Sequence, residues 1–158
     1  MEAAGIRCDG TLWQKHLQFT RPSHSKRENF SMKILAPISL GELVDKITIL
    51  EIKSTYVSGV SLQNVAYELT ELTEVLNSLG ASIDLDLVTQ LKSTNQRLWN
   101  IENEIRAMES RSDFGEEFVG LARSVYHEND NRARLKQLIN RRYGSSVIEE
   151  KLYTQYDS

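Results

Sequence analysis

The sequence predicts an all-α protein, a compact bundle of four to five helices preceded by a short extended segment. Three observations carry that prediction. One stretch, Ile38–Tyr56, is apolar on two sides of a helical wheel. Two further stretches keep a single apolar stripe over several turns. Between them lie short breakers rich in glycine, serine and asparagine, and no run alternates with the period of two that a half-buried strand requires.

The bounds are ordinary. The chain has 158 residues, is 40% hydrophobic and 26% charged, and carries a formal net charge of −3. That length suits one domain with a core of its own. A mildly acidic chain lacks the basic footprint that nucleic-acid binding leaves. The one cysteine, Cys8, excludes an internal disulfide framework and a Cys-cluster zinc site. A reducing cytoplasm is therefore the expected location. No apolar run approaches the roughly 18 residues of a membrane span, so no membrane role is expected.

Residues 1–31 differ from the rest. Basic residues (Arg7, Lys15, Arg21, Lys26, Arg27) outnumber acidic ones (Glu2, Asp9, Glu28), and the apolar residues are scattered. There is no apolar core of a signal peptide. This segment is expected to be a disordered or marginal extension, with 32–158 as a single helical domain. Met32-Lys33 also reads as an alternative start. The other expectation for the extension is a short helix anchored on the core by Trp13 and Leu17, spaced i to i+4.

Met32–Pro37 is a brief extended segment that delivers the chain to Ser39. Ser39 and Glu42 have the spacing of a capping box, in which each side chain satisfies an orphan N–H of the first helical turn. Along the helix that follows, Leu40, Leu43, Val44, Ile47 and Leu50 share one face; Ile49, Ile52 and Tyr56 lie almost opposite. A helix with so narrow a polar strip is packed by neighbours on most of its circumference. A second helix starts at Ser61 and carries Val65, Leu69, Leu72, Val75, Leu76 and Leu79, with Gly80 placed to close it.

A third helix, Asp84 to Ser110, holds Leu87, Leu91, Leu98, Ile101, Ile105 and Met108 at near-heptad spacing. Asn95, Trp99, Glu102 and Arg106 stack in a row on its flank. Ser112–Gly115 breaks it. A fourth begins near Glu116, with Phe118, Leu121, Ala122 and Val125 as its buried face. At Glu128–Asn131 a continuing helix would turn Asn129, Arg132 and Lys136 inward. That is a poor core, so a break or kink is expected there, with Leu135, Leu138 and Ile139 facing inward beyond it. Ser146 and Glu149 repeat the capping-box spacing, which predicts a short last helix through Tyr153.

Taken in order, GELVDKITIL at 41–50, Asn129-Asp130 with Arg132, and Glu149-Glu150-Lys151 resemble the DUF6165 family, a bacterial family of unknown function. The resemblance covers about Met32 to Tyr153. It implies a bacterial setting and a link to cell-surface polysaccharide synthesis, and it implies no particular reaction.

The phosphate-loop, dinucleotide, zincin and nucleophile-elbow motifs are all missing, so no cofactor or metal is expected. His16, His24 and His127 do not form a ligand spacing, and His127 near a helix end reads as a solvated side chain. What remains is an ionisable cluster on apolar faces. Asp45 falls between Ile49 and Ile52, and Glu51 falls in the sector of Val44 and Ile47. A buried carboxylate without a partner is too costly to persist, so cations are expected beside each. Arg106, Arg123 and Arg132 are the candidates, with Lys46, Asn95, Trp99, Glu102 and Asn129 nearby in pattern.

Three readings of that cluster stay open. It is a structural network that fixes the register of the bundle, or it is a site where arginines hold a small anionic ligand by bidentate contacts, or the carboxylates are exposed because the helix is less buried than its pattern suggests. Two function classes follow. One is a non-enzymatic binding or assembly module with a protein partner or a second copy of itself. The other is a small α-helical enzyme, or a binding protein, for an anionic metabolite.

Overall fold

The computed structural model describes residues 33–80 and 82–151. The extension 1–31, with Cys8, Trp13, Leu17 and two of the histidines, and Tyr153 at the other end lie outside the described residues. Four helices make up the unit that begins at Ala36: α1 Leu40–Ser54, α2 Gly59–Ser78, α3 Leu85–Ser110 and α4 Glu116–Arg142. Among the described residues there is no strand, and 33–39 enter α1 as non-helical chain.

Helix α1 is central because of its two apolar faces. It packs against each of the other three helices, and Leu43, Val44, Ile47, Leu50 and Ile52 are all buried. Each such side chain contributes about 1.5–3 kcal/mol on leaving water. Ser39 caps the helix, its Oγ accepting the Glu42 N–H at 3.2 Å. The core knits α1, α3 and α4 together: Val44, Leu91, Leu135 and Ile139 form one buried cluster, against which Leu76 of α2 packs partly buried.

The long helices α3 and α4 form an antiparallel pair. At the end away from the connecting loop, the Asp84 N–H donates to the Tyr143 hydroxyl at 2.7 Å, and Arg142 lies 2.8 Å from the Asp84 carboxylate. Helix α2 rests chiefly on α1 and has no fully buried residue over its 20 positions. Gly80 adopts φ +63° just past its C-cap, a conformation that favours glycine and ends the helix there.

Two expectations fail, and both failures bear on the site. Helix α4 runs unbroken through Glu128–Asn131, because Arg132 and Lys136 find Asp45 and Glu42 on α1 and Asn129 bonds back to the Val125 carbonyl of its own helix. The predicted last helix does not form over the described residues: 145–151 is non-helical, and Glu149 is engaged with α4 instead of capping a helix of its own. Smaller corrections concern exposure. Ala122 faces solvent while Phe118, Leu121 and Val125 are half-buried, and Leu138 is exposed. No helix among the described residues is long and apolar enough to cross a membrane.

Candidate functional site

The polar centre of the bundle is Asp45, 1% exposed in the middle of α1. Its carboxylate receives the Arg132 guanidinium edge-on, Nε at 2.9 Å from Oδ1 and Nη2 on Oδ2. Asn95 of α3 donates from Nδ2 to the same Oδ1 at 2.8 Å and to Thr48 Oγ1 at 3.0 Å. The Thr48 hydroxyl in turn donates to the Asp45 carbonyl at 2.8 Å. Three helices therefore meet on one carboxylate. The hydrogen bond to Asp45 raises the Arg132 pKa above its ordinary value against the opposing effect of burial.

One turn further along α4, the buried Lys136 bridges two carboxylates, Glu42 of α1 and, at 2.5 Å, Glu149 of the C-terminal segment. Burial pushes its ammonium down, but hydrogen bonds from that ammonium to Glu149 and Glu42 outweigh the loss and hold it above the usual lysine range. Lys151 donates to the Asn129 carbonyl at 3.3 Å, so residues 145–151 run back along α4. At the same end, the Gly41 N–H donates to Asn140 Oδ1 at 2.6 Å. A Cβ on Gly41 would meet the Lys136 carbonyl oxygen at 2.5 Å. Only glycine lets the two backbones approach that closely.

The ten residues singled out from the sequence divide sharply. Asp45, Asn95 and Arg132 come together. Lys46 is exposed and pairs with Glu68 of α2 at 2.7 Å, while Glu51 pairs with Lys92 at 2.8 Å. Trp99 stacks on Tyr56 with ring centroids 5.1 Å apart. Glu102 and Arg106 are exposed. Arg123 is exposed as well and donates to the Tyr126 hydroxyl at 3.3 Å. Asn129 is half-buried and caps the Val125 carbonyl at 3.0 Å. The charged ends of Glu51, Arg106 and Arg123 thus do not converge on Asp45. His127 is exposed, its ring 4.6 Å from that of Tyr126.

Sequence reasoning missed Thr48, Lys136, Asn140 and Glu149, and it took Glu42 only as half of a cap. A signal for Lys136 was present. Asn129, Arg132 and Lys136 repeat at i, i+3 and i+7, an inward polar stripe that faces Glu42 and Asp45 at i and i+3 on α1.

As arranged, Asp45 is a buried counter-ion. Both oxygens accept charged or amide donors, and the side chain is 1% exposed. Among the described residues no group of acids, histidines or cysteines is placed to hold a metal ion.

A different opening lies beside this network. A cleft of about 460 Å³ separates the start of α1 from the end of α2, lined by Ile38, Leu40, Leu43, Val75, Leu79, Tyr143 and the small residues Ala36, Ser39, Ser145 and Ser146. Fold and site together define an all-helical protein in which Asp45 and Lys136 are paired inside the bundle while the buried Trp99 Nε1 has no hydrogen-bond partner, with an apolar cleft at one end. Residues 32–158 match a family of unknown function, DUF6165, and the chain belongs to it. No curated protein and no solved structure matches the chain.

Proposed function

We propose that this protein is a non-enzymatic binding module that takes a helical segment of another protein along α2. One observation carries the reading. Helix α2 has an apolar stripe yet buries no residue completely, and Val60, Leu62, Tyr67, Val75 and Leu79 are exposed along it. Among the described residues nothing fills that surface, and an amphipathic helix laid against it would complete the layer.

A second copy of the chain is the poorer occupant. The charged residues of α2 are Glu68, Glu71 and Glu74, with no basic residue, so two such helices face each other with like charges. The anionic-metabolite reading has less support, because Arg132 and Lys136 are already committed to Asp45, Glu42 and Glu149. Within this proposal the setting is a bacterial cytoplasm, the location following from the single cysteine of the sequence, and the partner belongs to cell-surface polysaccharide assembly.

Two measurements test the reading. A thermal-shift panel of sugar nucleotides and small carboxylates leaves the melting temperature where it is, and the chain sediments as a monomer at micromolar concentration. Ligand binding to the folded state raises Tm by mass action. A shift of several degrees with any panel member would overturn the non-enzymatic reading, and a dimer lost on Val75→Ser/Leu79→Ser would overturn the heterologous partner.

A further inference from the structure

We propose that residues 145–151 form a releasable strap at the cleft, detachable because Lys136 is shared between Glu149 of the strap and Glu42 of α1. The proposal goes beyond the binding-module reading and stands without it.

The ties that fasten the strap are polar. The chain turns back at Gly144, whose φ of +63° lies in the left-handed region. Past it, Ser145 Oγ accepts the Leu40 N–H at 3.2 Å and donates to the Val147 carbonyl at 3.1 Å. Glu149 reaches Lys136 at 2.5 Å, and Lys151 donates to the Asn129 carbonyl at 3.3 Å. No residue of 145–151 is buried, and Ile148 is 70% exposed. A segment that hides so little apolar surface belongs to the low-stability end of a fold.

Opening the strap leaves no buried charge unpaired. Lys136, with a side chain 9% exposed, keeps Glu42, and Arg132 keeps Asp45. Deleting one member of a buried pair is costly because of the charge stranded behind it, and here a second carboxylate removes that cost. Glu149 is already 43% exposed and passes into water, as the acid of a surface ion pair does at little expense. The Leu40 N–H belongs to the first turn of α1, where an amide has no partner inside its own helix, so water takes the place of Ser145 Oγ. Glu42 is thus what makes the strap detachable. Without it, opening would strand a buried ammonium.

The strap also shapes the cleft. Ser145 and Ser146 line that opening of about 460 Å³ beside Ile38, Leu40 and Tyr143. A swing about Gly144 carries both serines away and removes one wall, so the closed strap limits the cleft and the open strap enlarges it.

The test compares Glu149→Gln and Glu42→Gln in the full chain, both checked for parental helical circular dichroism. Backbone nitrogen relaxation of residues 146–150 and hydrogen exchange of the Leu40 amide are read by nuclear magnetic resonance. Glu149→Gln frees the strap and speeds Leu40 exchange roughly 2- to 5-fold, the factor that an exposed ion pair supplies. High salt does the same to the parent. Glu42→Gln acts in the opposite direction: the strap stays ordered and Leu40 exchanges more slowly than in the parent. An apolar dye, anilinonaphthalene sulfonate, gains fluorescence with Glu149→Gln and not with Glu42→Gln. A strap loosened by both substitutions would overturn the shared-ammonium latch, and so would a strap that Glu149→Gln leaves unchanged. Dye fluorescence that ignores a freed strap would overturn its hold on the cleft. Should Glu42→Gln not fold, Lys136→Met serves in its place: it frees the strap as Glu149→Gln does, and combining the two frees it no further. Additional loosening in that double variant would refute the latch.

Discussion

Removing either member of the Asp45–Arg132 pair is strongly destabilising, and the two removals are unequal. Breaking a buried ion pair by deleting one partner costs about 3–5 kcal/mol, because the other charge stays buried. Asp45 is 1% exposed and Arg132 28%. In Arg132→Met, the carboxylate keeps only Asn95 as a side-chain donor and cannot reach water, so the cost falls near the upper end, about 4–5 kcal/mol. In Asp45→Asn, the guanidinium can turn toward solvent, and the cost falls nearer about 3 kcal/mol. The double variant Asp45→Asn/Arg132→Met removes both charges. It loses hydrogen bonds worth about 1 kcal/mol each, so it costs far less than the sum of the single changes. Urea unfolding followed by far-ultraviolet circular dichroism measures all three. On heating, Arg132→Met lowers Tm by roughly 8–20 °C, at about 2–4 °C per kcal/mol for a chain of this size. Asp45→Asn costing as much as Arg132→Met, or both costing under about 1 kcal/mol as exposed pairs do, would refute the buried-counter-ion account.

Two glycine substitutions on helices move stability in opposite directions. Gly41→Ala meets α4 backbone, the Lys136 carbonyl oxygen at 2.5 Å and Cα at 2.9 Å, and lowers stability by about 1–3 kcal/mol despite alanine's better helix propensity. Gly120→Ala meets nothing within 4 Å and raises it by about 0.5–1 kcal/mol; thermal melts of the two variants read both signs. Glu128 is held below the usual carboxylate range, first by its hydrogen bond with Arg97, with burial opposing. A depressed folded pKa stabilises above the unfolded value of about 4.3 and loses that effect as pH falls through the folded value. The advantage of the parent over Glu128→Gln, under about 1 kcal/mol for so exposed a pair at neutral pH, therefore fades between about pH 5 and 3 in urea titrations. Hydrogen exchange separates the helices: amides of α2 exchange faster than those in the middle of α1, because α2 buries no residue fully.

How much of this was legible varies by element. Helix α1 could be read almost completely, since an apolar pattern on two faces has no other stable placement than the centre. The ends of α3 followed from Asp84 and the Ser112–Gly115 breaker. The continuity of α4 was hidden by a rule that holds on average: inward polar residues argue against a buried helix. Arg132 and Lys136 violate it because Asp45 and Glu42 approach from 87 and 94 residues away, a pairing that no local period encodes. The same blindness produced the phantom last helix. Ser146 and Glu149 have capping spacing, but an ammonium on α4 offers Glu149 a stronger partner than a backbone N–H. Arg106 and Arg123 were drawn into the site by position on a wheel; their outward direction depends on how α3 and α4 share their seam.

The polar core and the open helix are two halves of one arrangement. Buried ion pairs contribute little net stability but hold one register, because every alternative leaves a charge unpaired. Here they pin α1 to α3 and α4 through Asp45, and α1 to α4 a second time through Lys136 and Gly41. Helix α2 takes no part in either of these buried polar ties. Its contacts to the core reduce to a few partly buried side chains, Leu76 among them, and its Lys46–Glu68 bridge is solvent-exposed. Val60, Tyr67, Val75 and Leu79 stay exposed in the fold, so on the proposed reading covering them from outside adds binding energy without forcing the three pinned helices to move. That is the physical reason to look for the partner on α2 and not at the charges buried behind it.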